Sequence, residues 1–162
     1  MQESLEQKAW WGYIEADLKE LLKESQKLSA ITSGWEEKFH DYAFVVFPAA
    51  KAYEGFLKKL FLDLGFISEE DYFGKRFRVG KALNPNLETD LRNESVYDKL
   101  VGFCGGKELA DQLWDTWRLS RNLIFHWFPK ERNAITLEEA RQRCNMILDS
   151  LDAAFKECKI ER

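Results

Sequence analysis

Hydrophobic positions recur at helical spacing along most of the chain and nowhere alternate as a strand requires. Between about Ser4 and Ala30, Ile14, Leu18, Leu21 and Leu22 fall at steps of four, three and one, with Glu15 and Lys19 paired at i,i+4 opposite them. This spacing predicts an amphipathic helix. A second stripe, Val46, Ala50, Tyr53, Leu57, Leu60 and Leu64, runs through a helical segment from about Trp35 to Leu64. Gly65 closes it, and Pro48 either kinks it or marks its true start. Residues 68–94 are the least regular: Gly74, Gly80 and Asn84-Pro85-Asn86 predict an ordered loop with one helical turn after a Ser68 cap.

A short helix is expected from Ser95 to Phe103, stopped by Gly105-Gly106, and a longer one from Lys107 to roughly Phe128, stopped by Pro129. The last opens on Thr136-Leu137-Glu138-Glu139, a capping box, and continues through Ala140, Cys144, Ile147, Leu148, Leu151, Phe155 and Cys158. That face puts Cys144 and Cys158 in the core. The pattern amounts to an all-α bundle of four to five main helices with an irregular insertion around residues 66–94, in a single domain covering 1–162.

Composition narrows the partners. The 162 residues are 45% hydrophobic, enough for a core without disulfides or metals. Three cysteines without CxxC spacing and no charged-then-apolar leader point to a reducing cytoplasm. No apolar run approaches the roughly 20 residues of a membrane span, so no membrane partner is expected. A net charge of -4 argues against a broad nucleic-acid surface, so any anion site must be local.

One candidate for local chemistry is Arg121-Asn122-Leu123-Ile124-Phe125-His126. The stripe Leu113, Trp114, Trp117, Ile124 and Phe128 passes through Arg121, so a permanent cation stands where a core residue is expected. It either pairs structurally with a carboxylate or serves a site, and position alone does not choose. Nine arginines and two histidines make the spacing common by chance. Five residues at about 100° each also separate Arg121 and His126 by about 140° on a regular helix. A loosened last turn, the reach of arginine or a second copy of the chain is needed to bring them together. A second polar line, Lys51, Glu54 and Lys58, shares one face of the second helix. It is either a solvated strip or the place where Glu54 orients Arg121 or His126 while a lysine holds phosphate. The run from Phe73 to Lys81 carries Lys75, Arg76, Phe77, Arg78 and Lys81, four cations and no carboxylate. Such a run is either a solvated loop or a site where cations hold phosphates and aromatic faces stack bases. His40 beside Asp41 is expected to be structural, and there is no HExxH, GxGxxG, GxxxxGK[ST] or GxSxG motif.

Arg121-Asn122, three residues and His126 resemble the Rx4-6H signature of HEPN-domain ribonucleases, and Glu54 four residues before Lys58 resembles the acidic-basic pair of that family's first motif helix. Tyr53–Gly65 and Phe77–Pro85 are similar to the nuclease domain of RnlA/LsoA-type toxins, a likeness spanning most of 44–151. The resemblance implies a HEPN-like bundle and a metal-independent endoribonuclease toxin of a toxin-antitoxin or antiphage system, active in the cytoplasm as a homodimer without metal or other cofactor. In it His126 is the base on a ribose 2′-OH and Arg121 stabilises the phosphoryl charge. Asn122, Glu54 and Lys51 complete the site, and Lys58 and the 75–81 cations hold RNA. The implied partners are RNA and a cognate protein antitoxin. Members silenced by adenylylation carry a tyrosine two residues after the histidine, where this chain has Phe128, and RnlA-type toxins have further upstream domains. Two alternatives are a non-catalytic HEPN module binding RNA or protein, and an adaptor bundle using exposed tryptophans.

Overall fold

Helical periodicity is realised in the main segments of the described residues. The computed structural model describes residues 4–158, and among them every regular element is a helix and none is a strand. The α-helices are α1 (Ala16–Ser33), α2 (Ala43–Asp63), the short α3 (Glu69–Phe73) and α4 (Val79–Ala82), α5 (Val96–Cys104), α6 (Glu108–Trp117) and α7 (Leu137–Glu157). α6 continues into a π-helical turn at Arg118–Asn122. Five of these helices span nine residues or more, the expected all-α bundle. None among the described residues is long and apolar enough to cross a membrane. The outermost positions of the expected 1–162 range, 1–3 and 159–162, lie outside the described residues.

α2 lies at the centre. α1 and α7 pack on it, α6 packs on α7, and the π-turn touches both α2 and α7. Eleven of the 21 residues of α2 are buried, including Tyr53, Phe56, Leu57, Leu60 and Phe61, all fully enclosed. Pro48 sits inside this helix, where it removes a backbone donor. Beside it the buried Ser25 hydroxyl of α1 donates to the Val45 carbonyl at 2.7 Å and accepts from the Ala49 N–H at 2.9 Å. Those are groups that an uninterrupted helix pairs with each other, so one side chain supports the ladder where proline weakens it.

Three expected boundaries move. α1 begins at Ala16, not Ser4, because the preceding segment is pinned elsewhere. A single 3-10 turn at Leu5–Gln7 is followed by irregular backbone that delivers Leu5, Trp10 and Ile14 to the core. The Asp152 carboxylate of α7 holds that segment, accepting from Trp10 Nε1 at 2.6 Å and Lys8 Nζ at 2.8 Å. α2 begins at Ala43, not Trp35. Asp41 Oδ1 accepts the N–H groups of Ala43 (3.0 Å) and Ile135 (3.2 Å), and the Tyr42 N–H donates to the Ile135 carbonyl at 2.9 Å. Tied to the strap before α7, residues 41–42 cannot continue a helix backwards. The insertion at 66–94 is more helical than expected: besides the Ser68-capped α3 it holds α4 and a 3-10 segment at Thr89–Glu94.

The last helix follows its sequence signal. Thr136 Oγ1 accepts the Glu139 N–H at 3.1 Å, and Glu139 Oε2 accepts the Thr136 N–H at 2.7 Å. Cys158 is buried, whereas Cys144 is half-buried and lines a groove between α1 and α7. Burial pushes the Cys144 thiol up to about 11 and Cys158 to about 12, and raises Cys104 as well. Thiolate is the reactive species, so a disulfide-exchange reagent at pH 7.5 should label the native protein slowly and all three cysteines rapidly after unfolding, as read by absorbance. Ser25→Ala should lower stability by about 1–3 kcal/mol in urea denaturation, because two buried backbone groups lose their shared partner.

Candidate functional site

Arg121 emerges where α6 stops being a regular helix. Up to Trp117 the turns are α-helical; beyond it the Leu123 N–H reaches back five residues to the Arg118 carbonyl at 3.0 Å. Such widened turns recur at functional positions because they re-aim the side chains they carry. The helix expected to reach Phe128 thus ends at Asn122. The reason is visible in Asn133, whose Nδ2 donates to the carbonyls of Leu123, at 2.8 Å, and of His126. These carbonyls find their donor in the returning strap, not in a further turn. Ile124 remains buried as the last member of the apolar stripe, and Phe128 is exposed.

The Arg121 guanidinium lies 4.7 Å over the Trp117 ring, and its Nη2 is 3.5 Å from Glu54 Oε2 on α2. Both ion-pair partners keep over a third of their side-chain surface open, 36% and 37%. A pair that open and that long contributes about 0–1 kcal/mol, so it orients the guanidinium without locking it. α2 reaches this position through Tyr53, whose buried hydroxyl donates to the Leu113 carbonyl of α6 at 2.9 Å. Burial raises the Tyr53 phenol far above its ordinary range, which keeps the proton on the donor.

Around this pair opens a cleft of about 390 Å³ between α2, α4 and the end of α6. Its charged lining is Glu54, Arg78, Lys81 and Arg121, with Asn84 and Asn122 as neutral polar groups and Trp114 and Trp117 as walls. Three cations face one carboxylate, a local excess of positive charge in a chain of net charge -4. α4 approaches closely because residue 80 is glycine: a Cβ there would stand 2.5 Å from Trp117 Nε1. A second cleft of about 310 Å³ adjoins the first and shares Arg78 and Lys81 with it. Arg76 and Phe77 line this second cleft.

The fold therefore gathers Arg121, Asn122, Glu54, Arg78 and Lys81 in one cleft, with Arg76 and Phe77 next door. Lys51, Lys58, Lys75 and His126 line neither cleft. Lys51 is exposed over the Phe47 ring at 5.9 Å, and Lys58 lies over Tyr72 of α3 at 5.8 Å. Lys75 is exposed, and its carbonyl accepts from Arg78 Nη1 at 2.8 Å. His126 is exposed beyond the helix end, its ring 6.0 Å from Phe128, while the neighbouring Phe125 packs edge-on against Phe47 at 5.5 Å. Phe47 lies seven residues before Glu54 on α2, so the Phe125 contact and the Arg121 contact fall about 10 Å apart along that helix. His126 does not line the cleft that holds Arg121.

Trp114, Trp117, Val79, Gly80 and Asn84 are the site residues that the sequence reading did not assign to the site. The four-residue step from Trp117 to Arg121 is a signal that indole and guanidinium share a helix face; Gly80 and Asn84 carry no such local sign. Among the described residues no group of three or more His, Cys, Asp or Glu side chains could hold a metal ion, and His40 is exposed. Comparisons with protein-family models, with curated proteins and with solved structures return no match for this chain.

Gly80→Ala should press a methyl onto the Trp117 indole and lower stability by about 1–3 kcal/mol in chemical denaturation. Tyr53→Phe should cost about 1 kcal/mol by the same measurement, since one buried hydrogen bond is lost with little change of shape.

Proposed function

We propose that this chain is a HEPN-type, metal-independent endoribonuclease that acts as a cytoplasmic toxin in a toxin-antitoxin or antiphage system, with RNA as substrate and a cognate protein antitoxin as partner. The observation that carries the reading is the convergence of Arg121, Asn122, Arg78 and Lys81 around Glu54 in one positive cleft of an acidic protein. Cations in a confined, tryptophan-walled cleft attract a phosphodiester, and Arg121 is aimed where charge grows on the phosphoryl oxygens. Glu54 holds the guanidinium in line.

His126 takes the proton from a ribose 2′-OH, whose oxygen attacks the adjacent phosphorus. The bond to the 5′-oxygen breaks, that oxygen takes a proton from water, and the protonated His126 returns its proton to solvent, so the proton count is unchanged. The products are a 2′,3′-cyclic phosphate and a 5′-hydroxyl. Because His126 does not line the Arg121 cleft of its own chain, the reading takes a homodimer in which two such motifs face one cleft. The surface beside His126 suits that contact: Phe47, Leu123, Trp127 and Phe128 are all large apolar side chains exposed by 36% or more.

A second reading, a non-catalytic module binding RNA or protein, is favoured by the engagement of Arg121 with Glu54 and Trp117 within one chain. The two differ at His126. Purified protein freed of any partner should cleave single-stranded RNA in excess EDTA, leaving cyclic-phosphate ends detectable by mass spectrometry. His126→Ala and Arg121→Ala should each slow cleavage by about 100-fold or more. Intact RNA rules out the nuclease, and His126→Ala cutting at the wild-type rate rules out His126 as its base. The binding module instead requires Arg121→Ala to lower the melting temperature while His126→Ala alters neither melting nor RNA affinity.

A further inference from the structure

The second cleft lies outside the reacting groups and has its own composition. Its floor is apolar, formed by Phe66, Ile67, Ala82 and Leu87 with Phe77 at the side, and its rim carries Arg76, Arg78, Lys81 and Lys99. Two carboxylates also line it, and both are engaged. Asp71 Oδ2 accepts from the Ser68 N–H at 3.2 Å and the Ser68 hydroxyl at 3.0 Å, while Glu94 Oε2 accepts from Lys81 Nζ at 3.4 Å. Lys99 Nζ donates to the Phe66 carbonyl at 2.8 Å. That leaves Arg76 and Asn93, both exposed on the rim and neither with an ion-pair or hydrogen-bond partner among the described residues. A cleft of about 310 Å³ lined by apolar side chains, a free guanidinium, a free amide and cations shared with the first cleft matches one nucleotide: a base against Phe77, its edge on Asn93, its phosphate on arginine and lysine.

The connection to the first cleft fixes which nucleotide. Arg78 and Lys81 line both spaces, so a phosphate held between them joins a residue in the Arg121 cleft to a residue in the Phe77 cleft. We infer that the Phe77 cleft is a base-reading subsite for the single-stranded nucleotide adjacent to the scissile one, making the enzyme's footprint at least two nucleotides and giving it its base preference. This inference rests on the endoribonuclease reading for its substrate, and its binding half can be measured without catalysis.

The test uses full-length protein and fluorescently labelled 2′-O-methyl RNA, in which the attacking hydroxyl is blocked. The probes are a nucleoside 5′-monophosphate and the four homodinucleotides joined by one phosphodiester, read by anisotropy at fixed salt. At least one dinucleotide should bind about 10-fold or more tighter than the monophosphate, and the four should differ among themselves. Phe77→Ala should erase that advantage, Asn93→Ala should level the differences between bases, and Arg76→Glu should weaken all dinucleotides. Arg76 and Asn93 are exposed, so their variants report on binding even if the half-buried Phe77 proves necessary for folding. Dinucleotides that bind no better than the monophosphate, or variants at Arg76 and Asn93 that bind all probes as wild type does, overturn the subsite. If unmodified RNA is cleaved yet these variants leave its base preference unchanged, the subsite alone fails. If dinucleotide binding behaves as expected and unmodified RNA stays intact, the nuclease reading fails and the nucleotide cleft stands.

Discussion

Everything that faces solvent around the two clefts is constrained by the burial of α2. A helix covered by α1 and α7, and pinned to α6 through Tyr53, keeps one open strip toward the candidate site: Phe47, Lys51, Glu54 and Lys58, at steps of four, three and four. That strip acts as a ruler. Phe47 touches Phe125 beside His126, Glu54 meets Arg121, and Lys58 lies over Tyr72 of α3. Because the aromatic face of the helix is fully buried, α2 cannot rotate to present another residue without exposing that core. The spacing of the Phe125 and Arg121 contacts is thus set by the rise of a buried helix.

The other end of the arrangement is set by how α6 terminates. Arg121 follows Trp117 by four residues, so its guanidinium lies over the indole face with its head at the open cleft, and the π-turn at Arg118–Asn122 takes in one additional residue as the helix ends. The indole is itself positioned by Gly80, the one place where α4 can approach it. A cation in an apolar stripe is costly only if it must leave water. Here the stripe ends in a cleft, and the aromatic wall and Glu54 replace part of the hydration that Arg121 gives up.

Much of this was legible in the sequence, and the failures share a cause. The stripe of α2, the Ser68 cap, the Thr136 box and the Gly105 stop are local signals and appear where they were read. The starts of α1 and α2 and the end of α6 were misplaced because contacts outside their own helical pattern decide them: Asp152 on Trp10, Ile135 backbone on Asp41 and Tyr42, Asn133 on Leu123. The first two link residues 142 and 94 positions apart, beyond any local window, and the shorter return of Asn133 to Leu123 has no periodic sign. The site divides in the same way. Glu54 with Arg121 joins two helices whose faces could each be read, whereas Asn84 and the nearness of the Arg78–Lys81 run to Arg121 depend on how α4 folds back.

The looseness of the Arg121–Glu54 pair then acquires a use in the proposed reaction. A guanidinium locked bidentately to a buried carboxylate would have to break two strong hydrogen bonds before serving a phosphate. At 3.5 Å and more than a third open, this pair is close to neutral in free energy. An incoming phosphodiester that also meets Arg78 and Lys81 can outcompete the carboxylate, while Glu54 continues to fix the direction from which the guanidinium reaches it. With the phosphate gone, the carboxylate returns and the stack on Trp117 keeps the side chain in place. A binding group pre-oriented by weak contacts loses little on engagement, which is the condition for its interaction with the substrate to be expressed in the transition state.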